Sequence, residues 1–195
     1  MNANIKLTLC FLFLLLTVTG CSFSTLEKEP IENTAFLKVG SHLEINNTNK
    51  SLILYDYKDT LASDGLYYAS WRIGDAKPYE NSDGDTVDLY DAQLYLLLGE
   101  FSNAENAQIN RDSWLERGKS NYEISAEEEI IYNGQTYQMI TYTFSGANNP
   151  YARGVSAFGV YENNAICVEL TCQEDFSEDL TAILTEFLEN CTYKE

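Results

Sequence analysis

The sequence predicts an α+β domain in which helices are layered on an antiparallel sheet, and three observations lead to this class. Segments that favour strands come first, a helix interrupts them, and two hairpins precede a closing helix. The clearest hairpin, over residues 122–144, has Asn133-Gly134 at its turn, because this pair adopts the positive φ angles of a type I′ turn. The closing segment, from Phe176 to Cys191, has apolar residues at helical spacing. We therefore expect a C-terminal helix that packs on the sheet.

The first three predicted strands lie at residues 43–45, 51–57 and 66–73. The first alternates apolar and polar residues, the second is a short apolar run, and the third is rich in aromatic residues. Residues 81–85 have the composition of a turn. Residues 87–98 fit either a bent strand or a helix, and the strand is preferred.

The first helix is predicted over residues 103–119. Ser102 and Glu105 have the spacing of a capping box, in which the two side chains satisfy backbone amides at the start of the helix. A second hairpin is predicted over residues 152–172, with Asn163-Asn164 at its turn. The buried face of the helix is expected to have Trp114 as its anchor and to consist of Ala107, Trp114, Leu115 and Gly118.

The first 21 residues predict export followed by lipid attachment. Residues 7–18 are apolar and uncharged, and this length suits the apolar region of a secretory signal, whereas about 20 such residues are needed to span a bilayer. The segment ends in Val18-Thr19-Gly20-Cys21, which resembles the bacterial lipobox. In that motif small residues give a peptidase access to the bond before the cysteine, which becomes the lipidated first residue of the mature chain.

These signals divide the chain into a signal peptide over residues 1–20, a flexible tether over residues 21–40 and a single α+β domain over residues 41–195. The tether mixes polar and charged residues without sustained periodicity, which is typical of a flexible linker. We expect the lipid on Cys21 to hold the domain on the outer face of a bacterial cell membrane, because two or three acyl chains anchor a protein stably.

The charge of the chain excludes nucleic acid as a partner. The chain has 12 Lys and Arg against 30 Asp and Glu, which gives a formal net charge of −18 at pH 7. Nucleic-acid binding needs stripes of Lys and Arg that displace counterions from phosphates.

Calcium loops need glycine at the sixth position and glutamate at the twelfth, but a loop that begins at Asn81 has Thr86 and Ala92 there. No metal site is therefore predicted.

The sequence contains no recognisable catalytic motif or cofactor motif. Its one histidine, His42, cannot form a zinc site that needs two or three histidines, and no Gly-x-Ser-x-Gly elbow is present. A hydrolase with two facing carboxylates is the least favoured alternative, because a sequence does not show which acids face each other. We predict no cofactor and no catalytic residue.

Three cysteines fall within the predicted domain, and an exported domain favours one disulfide among them. The length of the closing helix, laid back along the preceding strand, brings Cys191 near Cys167. Strand parity instead places Cys172 on the face of the strand that meets the helix. Cys167–Cys191 is the preferred pair, and three buried free thiols are the alternative.

Aromatic residues exceed what one small core needs, and they are the best indication of a binding surface. The loop over residues 145–154 carries Tyr151 and Arg153, and exposed loops often bind ligands. Tyr151 and Arg153 are therefore a possible binding loop. The other aromatic residues considered for this surface are Tyr67, Tyr68, Trp71, Tyr79, Tyr90 and Tyr95.

The order of elements over residues 42–194 resembles the PsbP/Mog-like sandwich fold. Two segments carry the resemblance: NAENAQINRDSWLERGKSNYEI at residues 103–124 and AICVELTCQEDFSEDLTAILTEFLENCTY at residues 165–193. This fold is known from extrinsic subunits of photosystem II, from a Ran-binding protein and from small bacterial lipoproteins. Because the better-known relatives dock onto partner proteins, the resemblance implies a non-catalytic binding or assembly module.

Three functions follow in order of preference. The first is a lipid-anchored, extracytoplasmic binding or assembly module whose partner is an envelope protein. The second is a surface protein that binds calcium, another cation or carbohydrate, which the acid excess and the aromatic residues suggest. The third is the carboxylate-pair hydrolase.

Overall fold

The computed structural model describes residues 35–58, 65–81, 83–144 and 149–194. The predicted signal peptide, Cys21 and most of the predicted tether lie outside these residues. Neither helix of the described ranges has the length and apolar character that a membrane span requires. Within the described ranges the elements are β1 (Phe36–Val39), β2 (Leu43–Asn46), β3 (Ile53–Lys58), β4 (Leu66–Ile73), β5 (Lys77–Glu80), β6 (Thr86–Leu89), β7 (Ala92–Glu100), α1 (Ala104–Asn121), β8 (Glu123–Tyr132), β9 (Gln135–Thr143), β10 (Arg153–Tyr161), β11 (Asn164–Cys172), α2 (Leu180–Glu189) and β12 (Cys191–Tyr193).

The described strands pair antiparallel and form three sheets. The largest sheet has seven strands in the order β3-β4-β7-β11-β10-β9-β8, a smaller one has the order β1-β2-β12, and β5 pairs with β6. Helix α1 packs on β10 and β11, and α2 packs on β10, β11 and β12. The predicted α+β class is therefore confirmed, with the C-terminal helix packed on the sheet.

Alternation along each strand divides the core between the two faces of the seven-stranded sheet. Leu94 and Leu96 of β7 belong to the core on the α2 face, whereas Leu97 packs on the α1 face. Buried residues of β1, β2 and β12 join the α2 core, so the three-stranded sheet closes this layer. On the other face Trp114 is buried among residues of the sheet, as predicted for the anchor of the first helix.

The fold begins before residue 41, so the predicted tether extends too far. Residues 36–39 form β1, which pairs with β2, and both Leu37 and Val39 are buried. The polar residues around them obscured these two alternating apolar side chains.

The ambiguous segment at residues 87–98 is extended, as preferred, and it contains a break between β6 and β7. At this break Asp91 accepts a hydrogen bond from Lys77 Nζ at 2.5 Å, and its carbonyl accepts from the backbone amide of Gln173 at 2.9 Å. Strand β5, which pairs with β6, was not predicted because it is short, mostly exposed and contains Pro78.

Helix α1 is capped by Asn103, and the predicted capping box of Ser102 and Glu105 is wrong. The side-chain oxygen of Asn103 accepts from the backbone amide of Asn106 at 2.8 Å, and Ser102 Oγ accepts from the Asn106 side chain at 2.9 Å. Asn and Ser are similarly good N-caps, so the spacing to Glu105 alone could not choose between two neighbours. The helix also continues to Asn121, slightly beyond the predicted end.

Both predicted hairpins are present, although the turn of the second is shifted by one residue. Asn133 and Gly134 have φ angles of 49° and 75°, which a type I′ turn requires. The second turn consists of Glu162, at φ 51°, and Asn163. Asn163 is held in place because its side-chain amide donates to the Phe101 carbonyl at 2.7 Å and its carbonyl accepts from the Phe101 amide at 2.9 Å.

The three described cysteines are free and buried. Cys167 lies in the core under α1, whereas Cys172 and Cys191 lie in the α2 core. The preferred Cys167–Cys191 pair is therefore wrong, because the sheet separates the two thiols. The predicted helix also ends at Glu189, and Cys191 begins β12, where it pairs with Ile45. The parity argument for Cys172 is confirmed.

Candidate functional site

A cluster of tyrosines surrounds one arginine on the α1 face of the seven-stranded sheet. We call this set the tyrosine–arginine cluster: Arg72, Tyr55, Tyr90, Tyr95 and Tyr151. Arg72 follows Trp71 in β4, and because side chains alternate, Trp71 enters the α2 core while Arg72 points to the other face. Arg72 pairs with Gln93 of β7, which pairs in turn with Thr171 of β11, so these three residues form one row across the sheet.

Three tyrosine rings surround the Arg72 guanidinium. Its central carbon lies 4.4 Å from the ring centroid of Tyr55, 5.0 Å from that of Tyr95 and 5.5 Å from that of Tyr90. These distances allow cation–π attraction, which is stronger where the cation is shielded from water. The rings of Tyr55 and Tyr90 meet edge to face at 5.7 Å. The rings of Tyr55, Tyr90 and Tyr95 therefore form an aromatic frame around the positive charge.

Two hydrogen bonds orient the guanidinium within this frame. Nη1 of Arg72 donates to the Trp71 carbonyl at 3.2 Å, and Nη2 donates to the hydroxyl of Tyr95 at 3.1 Å. The same Tyr95 hydroxyl donates to the side-chain carbonyl of Gln93 at 3.2 Å. Arg72 is 9% exposed, and no hydrogen-bond partner for its Nε is found among the described residues.

Burial favours the neutral form of two tyrosines of the cluster, Tyr90 and Tyr151, by raising the pKa of each hydroxyl. Burial raises the pKa of Tyr151, and the nearby charge of Arg72 opposes this rise only in part. Burial also raises the pKa of Tyr90, with Tyr55 as the next contributor. The charge of Arg72 therefore lies beside two tyrosines whose neutral form burial favours.

The structure separates the two residues of the predicted binding loop. Tyr151 is buried at the tyrosine–arginine cluster, whereas Arg153 pairs with Cys172 on the α2 face and donates to the carbonyl of Phe176. Residues 145–148 of that loop lie outside the described residues. Sequence reasoning did not find Tyr55 or Arg72. The alternation of Tyr68, Ser70 and Arg72 with buried residues of β4 was the available signal for Arg72.

The other aromatic candidates take different places. Tyr68 lies on the α1 face, where its hydroxyl donates to Asp56 at 2.8 Å. Trp71 is a core residue, 1% exposed, and packs edge to face on Phe187. Tyr67 lies on the α2 face and donates to Glu100 at 3.3 Å, and Tyr79 belongs to β5. Of the aromatic candidates, Tyr90, Tyr95 and Tyr151 lie together at the tyrosine–arginine cluster.

A buried carboxyl group lies on the same face, one row along from Arg72. Glu169 of β11 accepts hydrogen bonds from the hydroxyls of Tyr122 at 3.2 Å, Ser156 at 3.4 Å and Tyr142. The rings of Tyr122 and Tyr142 stack with centroids 4.1 Å apart. Burial raises the pKa of Glu169, and the three hydroxyl donors oppose this rise. We call Glu169, Tyr122, Tyr142 and Ser156 the Glu169 cluster.

The space beside Glu169 is small. A cleft of about 30 Å³ lies there, between the sheet and the last turns of α1, and this volume suits water. Its lining includes Trp114, Gly118 and Cys167. The contributors to the pKa shift of Glu169 are its burial and its three hydroxyl donors, and no second described carboxylate is among them. Within the described ranges, no group of three His, Cys, Asp or Glu side chains could hold a metal ion.

Comparison with solved structures shows a structural likeness. No protein-family model matches the chain, and no curated protein matches it by sequence. The chain is similar to the solution structure of cyanobacterial PsbP (CyanoP) from Synechocystis sp. PCC 6803, with 14% sequence identity and a TM-score of 0.40. The match covers 74% of this chain and 93% of that one. A likeness of this size carries no information about a ligand or a partner.

Proposed function

We propose that this chain is a lipid-anchored binding module on the outer face of a bacterial cell membrane, and that it binds an envelope protein through the tyrosine–arginine cluster. The composition of the cluster is the observation that supports this function. Tyrosine and arginine are enriched in the central residues of protein interfaces, because they offer a large contact area and directed hydrogen bonds.

The position of the cluster also supports a binding role. Strand β3 is an edge strand of the seven-stranded sheet, and on it Tyr55 is 40% exposed and Ile53 is 45% exposed. Both lie beside Arg72, since Ile53 pairs with Arg72 and the ring of Tyr55 stacks on its guanidinium. An exposed tyrosine above a mostly buried arginine is an arrangement in which a partner can cover both residues.

Replacing Cys21 with serine tests the proposed anchor. We expect the native chain to incorporate a labelled fatty acid and to sediment with membranes, whereas Cys21→Ser loses the label and is no longer held by a lipid. Cys10→Ser is the matched control, because Cys10 lies in the apolar part of the predicted signal and should leave labelling unchanged. Fatty-acid labelling that persists in Cys21→Ser would contradict the proposed anchor.

A photo-crosslinking side chain placed at residue 55 tests the proposed binding face. We expect a discrete crosslinked product from residue 55 in intact cells, because this position lies at the exposed margin of the tyrosine–arginine cluster. Ile131 is the matched control, since it is 65% exposed but lies on β8 at the opposite edge of the sheet. The same products from both positions, or no product from residue 55, would count against this face.

A further inference from the structure

The row that contains Arg72 holds two buried polar atoms without hydrogen-bond partners among the described residues. One is Nε of Arg72, and the other is Oγ1 of Thr171, whose side chain is 4% exposed. A guanidinium group has five N–H donors, and the structure gives Arg72 two hydrogen bonds, to the Trp71 carbonyl and the Tyr95 hydroxyl. Arg72 therefore has unused donor capacity in a place that water hardly reaches.

The positive charge of Arg72 also has no counter-ion in the described part of the chain. The ion pairs found there use Lys77, Arg111, Lys119 and Lys194, and none uses Arg72, although the chain has 30 Asp and Glu. A buried charge without an opposite charge is costly, and cation–π contacts with tyrosines offset this cost only in part. No described carboxylate lies within ion-pair distance of Arg72, so the guanidinium is available to a counter-ion that a partner presents.

We infer that Arg72 is the recognition residue of a binding site for an oxyanion, a carboxylate or a phosphate, that the partner presents. The inference rests on the proposed function, in which this face meets an envelope protein, and it specifies the chemistry that the partner supplies. A guanidinium pairs with either oxyanion through two parallel N–H donors, which a lysine cannot do.

The surroundings of Arg72 suit such a ligand. The rings around the Arg72 guanidinium belong to tyrosines. The Tyr55 ring, the most exposed member of the cluster, forms the outer side of the site. The net charge of −18 opposes the approach of free anions, so a single small anion should bind weakly. A partner would add contact area with the tyrosines to the ion pair.

The test is an NMR titration of the full-length chain in detergent, which observes the Nε–Hε signals of its four arginines, Arg72, Arg111, Arg117 and Arg153. Sodium acetate and inorganic phosphate are the probes, and sodium chloride at matched ionic strength is the reference. We expect a saturable shift of the Arg72 signal with a dissociation constant of about 1 mM or weaker, while the other three signals serve as internal controls.

The two probes distinguish the sources of the oxyanion. A response to acetate alone identifies a carboxylate, a response to phosphate alone identifies a phosphate group, and responses to both identify a general oxyanion site. If neither acetate nor phosphate produces a saturable shift of the Arg72 signal, the inference is overturned. Because this measurement uses the native sequence, it does not depend on whether an Arg72 variant folds.

A variant then links the oxyanion site to the partner. Arg72→Lys keeps the charge but loses the planar fork, so we expect the yield of the product from residue 55 to fall about tenfold or more. Arg111→Lys, on α1, is the matched control and should leave that yield unchanged. An Arg72 shift without any product from residue 55 would contradict the proposed protein partner but not the oxyanion site. A product that forms without an Arg72 response would contradict the oxyanion site alone.

Discussion

Replacing Trp71 with alanine is expected to lower the free energy of unfolding by about 3–5 kcal/mol. Trp71 is 1% exposed and lies between the seven-stranded sheet and α2, where its ring meets Phe187 edge to face at 4.9 Å. The substitution removes a large apolar surface and leaves a cavity in a layer that also includes Leu94 and Leu184. Denaturant unfolding followed by circular dichroism measures the change.

The matched control for this prediction is Tyr57→Ala. Tyr57 is an aromatic residue on the neighbouring strand β3, and it is 37% exposed, so its truncation should cost about 0.5 kcal/mol or less. Equal losses in the free energy of unfolding for the two variants would contradict the role of Trp71 as a buried anchor of the α2 layer.

Replacing Glu169 with glutamine is expected to remove a pH-dependent part of the stability. Burial raises the pKa of Glu169 in the folded chain above its ordinary value of 4.5, so the folded state holds this proton more tightly than the unfolded state. The stability that protonated Glu169 contributes is fully present below the unfolded pKa and is lost as pH rises through the folded pKa. Relative to the native chain, Glu169→Gln should therefore become more stable as pH rises through that window.

Unfolding curves between about pH 4 and pH 8 for the two chains measure this difference, which amounts to about 1.4 kcal/mol for each unit of pKa shift. Glu128→Gln is the control, because Glu128 is an exposed residue of β8 and its replacement removes the same charge. A constant difference between Glu169→Gln and the native chain across this range would mean that Glu169 titrates alike in the folded and unfolded states.

Local rules predicted most of the elements because each depends on neighbours in sequence. The Asn133-Gly134 turn follows from backbone preference, and the leucines of β7 alternate because one face of the sheet is buried. The N-cap at Asn103 and the turn at Glu162 differ from the predictions by one residue, since adjacent polar residues offered similar local chemistry. Strand β5 was missed because it is mostly exposed and contains Pro78, and β12 because Cys191 also fits the apolar spacing of the preceding helix.

The tyrosine–arginine cluster depends on strand register, which the sequence does not display. Tyr55 lies at an irregularity in the pairing of β3 with β4, and this irregularity lets its ring reach Arg72. Tyr151 and Arg153 are two residues apart and would share a face within a strand, but β10 begins only at Arg153, so strand parity does not extend to Tyr151. Glu169 has the appearance of a surface acid in sequence, and the covering tyrosines Tyr122 and Tyr142 make it a buried one.

The small sheet of β1, β2 and β12 has a mechanical consequence under the proposed anchoring. Any tension along the membrane tether enters the described fold at β1, a strand of four residues whose only partner among the described strands is β2. Detaching β1 breaks that one short ladder and leaves the pairing of the seven-stranded sheet intact. We expect β1 to detach from β2 first when the tether is pulled. Because the seven-stranded sheet then stays paired, force transmitted through the envelope would leave the geometry around Arg72 unchanged.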